Sequence, residues 1–403
     1  MIKEKVTKED LLAMYERLEE RIKEREGKIA AYMESFRKYQ RIFFYGAGTD
    51  AKVIAGLLGD ILEGKEVCFI DKNKQKHGME VVPGIFCRGI EAMYGCGKEA
   101  IIIITSSMYA DEIEYELMGE TYQTEDRLLG MPICAEFCLL LARNMEIKTT
   151  LALKENHLLS FDWMVSEKDK RGAYYGLEGQ CRGCTFRDFN LDGMMPPEEE
   201  TFSEHLKKFM EEHLPREKGN FVLCSAFSKD KIAHLEKVGK GMYDKLYAFE
   251  LNRLYIPHEL TGQIGDDTEV INACLGEKNF RLTKEMRGNG YNIYNWLDSC
   301  SDDFVQVKSL DEMIDKGEIE GRINLVRLCI GSGTGPALRG MKKVIQRDKP
   351  LLILQPGGHW LMPEECFSSL AVYLHKLVPE YKIFGKWHLP EQLDGDGNTY
   401  LYV

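Results

Sequence analysis

Apolar residues follow two rhythms along the chain, and the points where one gives way to the other outline the fold. Leu11, Tyr15, Leu18, Ile22, Ile29, Tyr32, Met33 and Phe36 recur at three-to-four spacing behind the capping-box stretch Thr7-Lys-Glu-Asp10. That predicts an amphipathic helix filling residues 1–40, interrupted by Arg25 and weakened by Gly27. From residue 41 the rhythm changes. Residues 41–45, 66–70 and 99–105 are short apolar runs without helical spacing, separated by helical patterns such as Val53, Ile54, Leu57 and Leu58. Such runs are what strands buried on both faces of a parallel sheet produce.

Patterning is weaker over 131–219. Helices are predicted at 134–144 and 151–164, and a glycine- and aromatic-rich loop at 172–197. A helix beginning at Glu198 carries Phe202, Leu206, Phe209 and Leu214 on one face and ends at Pro215-Arg-Glu-Lys-Gly219. Buried-strand runs then return at 220–227, 245–250, 270–275, 305–307, 324–330, 350–354 and 400–403. The piece from Asn324 to Leu354 reads as strand, glycine loop, helix and strand, a βαβ unit whose first strand would present a ligand at its carboxyl end. The fold class expected is therefore α/β, with two Rossmann-like, parallel-rich sheets and an N-terminal helix. The expected parts are 1–40 (helix), 41–130 (small Rossmann-like domain), 131–219 (helical and loop connector) and 220–403 (second α/β domain).

Composition narrows the function. The longest apolar runs, at 100–104 and 351–354, are too short to span a bilayer, and no apolar leader follows Met1, so no membrane partner and a cytoplasmic location are the expectations. A net charge of −12 argues against general nucleic-acid binding. The N-terminal stripe either packs on its own domain or forms a homodimer. Cys68, Cys134, Cys138, Cys224 and Cys329 fall in apolar runs and read as small buried hydrophobes. Cys181-Arg-Gly-Cys184 has metal or redox spacing but no second pair nearby, so a loop with two thiols is the plainer reading and no metal is expected.

Two stretches carry candidate chemistry. Gly46-Ala-Gly48 between a strand and a helix, with Asp71 closing the next strand, has the order of a dinucleotide-binding half-fold: phosphate on the helix N-terminus, Asp71 on a ribose hydroxyl. Ala51 stands at the third glycine, and Asp50 brings negative charge into the first turn. A purely structural or docking domain is the alternative. The layout of 41–130, with its acid, turn and Pro83-Gly84 after the second strand, resembles the small Rossmann-like domain found ahead of sugar-modifying enzymes and some methyltransferases. In the C-terminal part, Gly331-Ser-Gly333-Thr-Gly335 could cradle a phosphate or carboxylate.

From 220 to 403 the chain resembles the FkbM-type methyltransferase family. It carries Tyr247-Ala-Phe-Glu250, Ser309-Leu-Asp311, Arg339-Gly340, Lys349-Pro350 and Pro379-Glu-Tyr-Lys382 in the family's order and spacing. The resemblance implies a methyltransferase-like sheet, S-adenosylmethionine as cofactor, and O-methylation of a hydroxyl on a sugar or secondary metabolite, with a small molecule or glycan as acceptor. It puts Glu250 on the ribose, Ser225, Ala226 and Phe227 at the methionine end, and Gly331 and Gly333 at the second motif. His359 would deprotonate the acceptor, or simply make a backbone hydrogen bond or stack on Trp360; Trp387 and His388 fall in a region where the family has an Arg-His-containing strand, with the same structural alternative. Asp230 would bind substrate or cap the helix beginning near Lys231. The family's first-motif acid and glycines are Leu223, Cys224, Ser225 and Lys229 here, and its later acids are Cys329 and Gly331. A catalytically inactive binding or scaffold protein of this fold, and a nucleotide-sugar or dinucleotide binder acting through Gly46, Gly48 and Asp71, are the alternatives.

Overall fold

The computed structural model describes residues 3–106, 109–119, 122, 127–182, 202–225, 229–250, 265–283, 304–331, 333–356, 366–385 and 399–402. The chain divides into two compact units, Glu16–Leu151 and Met1–Tyr15 together with Ala152–Val403. The stretch 131–219, expected as a connector, is shared between them.

In the smaller unit β1 (Arg41–Tyr45), β2 (Glu66–Ile70), β3 (Glu80–Val82), β4 (Ile85–Arg88), β5 (Ala100–Ile104) and β6 (Ile133–Cys134) form a sheet in the order β3-β4-β2-β1-β5-β6. Every pairing but β3 with β4 is parallel. Alternation assigns the two faces: Ile42, Phe44, Phe69, Ile101 and Ile103 pack on Ala51, Ile54 and Leu58, while Phe43, Tyr45, Cys68 and Ile102 pack on Met93, Leu117 and Leu128. Phe36, at the end of the helix Lys8–Phe36, is buried in the first cluster, and Ile29, Tyr32 and Met33 lie against it. Leu11, Met14, Tyr15 and Leu18 are buried too. Arg25, which breaks the stripe, is itself buried; burial lowers its pKa, and Glu146 opposes that shift.

The larger unit holds two sheets. β7 (Gly219–Ser225), β8 (Tyr243–Glu250), β9 (Thr268–Ile271), β13 (Ile323–Gly331), β14 (Leu351–Pro356), β15 (Lys382–Gly385) and β16 (Thr399–Tyr402) form the main one; β10 (Cys274–Leu275), β11 (Phe280–Thr283) and β12 (Phe304–Lys308) form a small one. The main order is β15-β16-β14-β13-β7-β8-β9, parallel except for β16, which runs antiparallel between β14 and β15. Renumbered along this sheet from β7, and read from the β9 edge, that order is 3-2-1-4-5-7-6 with the last strand reversed. This is the methyltransferase-like α/β sheet expected for the region.

One segment departs from the sequence reading. Residues 172–182 are helical, within Glu167–Arg182, rather than loop. Tyr174, Leu177 and Cys181 bury one face, and Ser166 caps the start by accepting from Asp169 N–H at 3.0 Å while donating to the Asp169 carboxylate at 2.6 Å. These contacts outweigh the cost of Gly172, Gly176 and Gly179. Cys138 lies in the helix Glu136–Ala152 and is buried as expected. Cys181 is buried with its Sγ 3.6 Å from the Met14 carbonyl; Cys184 lies outside the described residues. Among the described residues no His, Cys, Asp or Glu group could hold a metal ion, and no helix is long and apolar enough to cross a membrane.

The Ser309-Leu-Asp311 motif proves to be a clamp on the fold. Ser309 Oγ accepts from Glu312 N–H at the N-cap of Leu310–Asp315 and donates to the Gly340 carbonyl at 2.8 Å. The Asp311 carboxylate accepts from the Lys343 and Val344 amides at 2.9 and 3.0 Å, capping the helix Lys342–Asp348.

Candidate functional site

In the main sheet the chain steps outward from β7 to β8 and β9, then returns to the other side of β7 with β13. The carboxyl ends of β7 and β13 therefore form the topological switch point where such sheets place ligands. The register brings three sequence-predicted positions side by side there: Ser225 pairs with Glu250 on β8 and with Cys329 on β13. Two residues back on β7 and β8, Leu223 and Ala248 share one apolar core, so Ser225 and Glu250 emerge on that same face. Both are buried, Ser225 at 0% and Glu250 at 1% exposure. The Ser225 hydroxyl has no hydrogen-bond partner among the described residues. An orphaned buried hydroxyl beside a buried carboxylate at the end of the second strand is a donor–acceptor set that fits the hydroxyls of an adenosine ribose. On the opposite face Cys224 is fully buried, and burial, with Cys274 beside it, pushes its thiol pKa up, so it is an inert packing residue.

The glycine loop after β13 is folded on itself. Gly331 is left-handed at φ 55°, and the Gly333 amide donates to the Ile330 carbonyl at 3.0 Å. Thr334 is buried and bonded to the Gln355 carbonyl at 3.3 Å. The Gly333 amide is thus engaged within the chain rather than offered to an anion. Ala226, Phe227 and His359, with Trp360, Trp387 and His388, lie outside the described residues; Asp230 lies in the helix Lys229–Gly239, near its start.

In the smaller unit the switch point lies between β1 and β5. Gly46 takes φ 110°, which requires glycine, and its carbonyl accepts from Thr105 Oγ1 at 2.6 Å. Gly48, at the N-cap of Thr49–Leu57, has nothing within 4 Å of the place a Cβ would occupy. Ala51 is fully buried against the sheet, so it performs the close helix–strand packing of the third glycine. Asp71 turns inward. Its carboxylate accepts from Ala47 N–H at 3.0 Å, Asn73 N–H at 2.9 Å and Lys76 Nζ at 2.7 Å. The acid expected to hold a ribose therefore closes the glycine turn by binding one of the turn's own amides.

Burial raises the Asp71 pKa, but the Lys76 ammonium and the two amides outweigh it and hold the acid below its ordinary value. A depressed folded-state pKa contributes stability that is fully present above the unfolded value of about 3.9 and is lost as pH falls through the folded value. Asp71→Asn should cost about 1–3 kcal/mol at neutral pH. Hydrogen exchange at Ala47 and Asn73 should accelerate, and the difference from wild type should shrink below about pH 4. Unchanged exchange at both amides would show that the carboxylate does not hold the turn.

With the geometry in place, comparisons with known proteins add one likeness. No family model and no curated protein matches the sequence. Among solved structures, the chain is similar to the methyltransferase FkbM from Methylobacillus flagellatus KT, at 14% identity and a TM-score of 0.47 over 93% of each chain. The strand order and the paired Ser225 and Glu250 rest on the chain's own geometry.

Proposed function

We propose that the larger unit is an S-adenosylmethionine-binding, methyltransferase-like protein that methylates a hydroxyl of a sugar or secondary metabolite. The observation that supports this reading best is the side-by-side placement of buried Glu250 and the Ser225 hydroxyl, unpartnered among the described residues, at the switch point of a methyltransferase-like sheet. Glu250 would accept from the ribose hydroxyls, and Ser225 would contribute one polar contact beside it. When bound, the cofactor supplies an activated methyl group on sulfur. The protein's task is then to align the acceptor oxygen and exclude water.

The test is thermal unfolding of the full chain with and without S-adenosylhomocysteine. At about one hundred times its dissociation constant, this ligand adds about 2.7 kcal/mol to the unit that binds it. Saturable stabilisation by the homocysteine compound, with none from NAD or a UDP-sugar, is the expected result. Absence of any shift at millimolar ligand would instead favour a scaffold of this fold that has lost its cofactor.

A further inference from the structure

A second feature of the larger unit lies at the other end of the same sheet. A cavity of about 310 Å³ opens beside the amino-terminal ends of β13 and β14, lined by Leu214, Pro215, Arg322, Arg347, Lys349 and Leu351, with His213 and Asp348 completing the wall. Arg322 immediately precedes β13 and Leu351 opens β14, whereas Ser225 and Glu250 mark carboxyl ends. Two arginines and a lysine line this cavity on a protein whose net charge is −12.

Two of them are held in place. The Arg347 guanidinium is clamped bidentately by Asp348, Nε to Oδ1 at 2.8 Å and Nη2 to Oδ2 at 2.7 Å. Asp348 is 5% exposed and also accepts from Ile323 N–H at 2.9 Å, so the acid end of the clamp is anchored in the core. Arg322 Nη2 donates to the Asp348 carbonyl at 3.3 Å. The third cation is strained. Among the described residues Lys349 is the one non-glycine residue with positive φ, at φ 48° and ψ 55°, closing the helix Lys342–Asp348. Glycine is the ordinary occupant of that position, and the following Pro350 disfavours it further by pushing its predecessor toward extended backbone. A lysine standing where glycine would relax the backbone points to a role for its ammonium group. Its ion pair with Glu380 joins two substantially exposed side chains and is too weak to account for it.

We propose that this cavity is a binding site for a small phosphate monoester, with the phosphate held by Arg322, Arg347 and Lys349 and the organic part lying against Leu214, Pro215 and Leu351. Guanidinium groups match phosphate oxygens in geometry, the lysine adds a point charge, and the volume suits a phosphate carrying a compact substituent. The site is independent of the cofactor reading above, because it uses none of the same residues.

Calorimetric titration of the full chain with glucose 6-phosphate, inorganic phosphate and glucose, at constant ionic strength, tests it. Saturable binding of the ester, weaker binding of inorganic phosphate and none of glucose is the expected pattern. Lys349→Gly should leave the ligand-free unfolding midpoint equal to or above wild type, since it relieves the strain, yet weaken the ester about tenfold. Arg322→Ala should weaken it by a similar factor and guards against a folding defect in the first variant. No saturable heat in the wild type, or unchanged affinity in both variants, overturns the proposal. Inorganic phosphate binding as tightly as the ester overturns the assignment of an organic ligand.

Discussion

Gly340→Ala should destabilise the larger unit by about 3–5 kcal/mol, lowering its unfolding temperature by roughly 10 °C. Gly340 sits at φ −79° and ψ 0°, a conformation any residue can adopt, so the penalty comes from space alone. A Cβ there would lie 1.9 Å from the Gly276 oxygen, 2.8 Å from the Gly276 carbonyl carbon and 3.0 Å from Glu277 Cα, all backbone. The clash has no easy relief. The Gly340 carbonyl accepts from Ser309 Oγ at 2.8 Å and from Asp311 N–H at 2.9 Å, and its amide donates to Pro336 O at 3.0 Å. Any shift that frees the methyl group must stretch these bonds, and with them the Asp311 cap on Lys342–Asp348. Gly27→Ala is the counter-experiment: its Cβ meets nothing within 4 Å in an exposed helix, so it should stabilise by about 0.5–1 kcal/mol. A Gly340→Ala protein unfolding within a degree or two of wild type would mean that the backbones at 276 and 340 are not in contact.

The same residues show what the sequence could and could not disclose. Strands buried on both faces write themselves as apolar runs, so β1, β5, β13 and β14 were legible almost to the residue. The helix Glu167–Arg182 was not, because three glycines masked it; its capping signal, Ser166 and Asp169 three residues apart, was present in the letters. Arg339-Gly340 and Ser309-Leu-Asp311 were legible as motifs, but a glycine kept for the approach of a distant backbone looks the same in sequence as one kept for a turn. Asp71 shows the sharper limit. An acid closing the second strand of a βαβ unit reaches the glycine turn in either case, and only geometry reveals that its oxygens receive Ala47, Asn73 and Lys76. The strain at Lys349 has no sequence signature at all, since it lives in a backbone angle.

Glu250→Gln and Ser225→Ala should move binding of S-adenosylhomocysteine in the same direction and stability in different ones. Glu250→Gln keeps the buried volume and removes the charge that would accept the ribose hydroxyls. A charge-assisted hydrogen bond is worth about 1.5–3 kcal/mol, so affinity should fall roughly 10- to 150-fold. Ser225→Ala removes a fully buried hydroxyl that has no partner among the described residues. Relieving that desolvation should raise ligand-free stability by about 1 kcal/mol, while costing affinity if the hydroxyl meets the ligand. Opposite signs from one substitution are hard to produce by a general loosening of the fold. Each variant's unfolding should therefore be followed across a ligand titration, comparing dissociation constants rather than midpoints alone. Wild-type affinity in Glu250→Gln would remove the ribose assignment. A Ser225→Ala protein that is both more stable and equally tight would make Ser225 a packing residue and leave the ribose contact to Glu250.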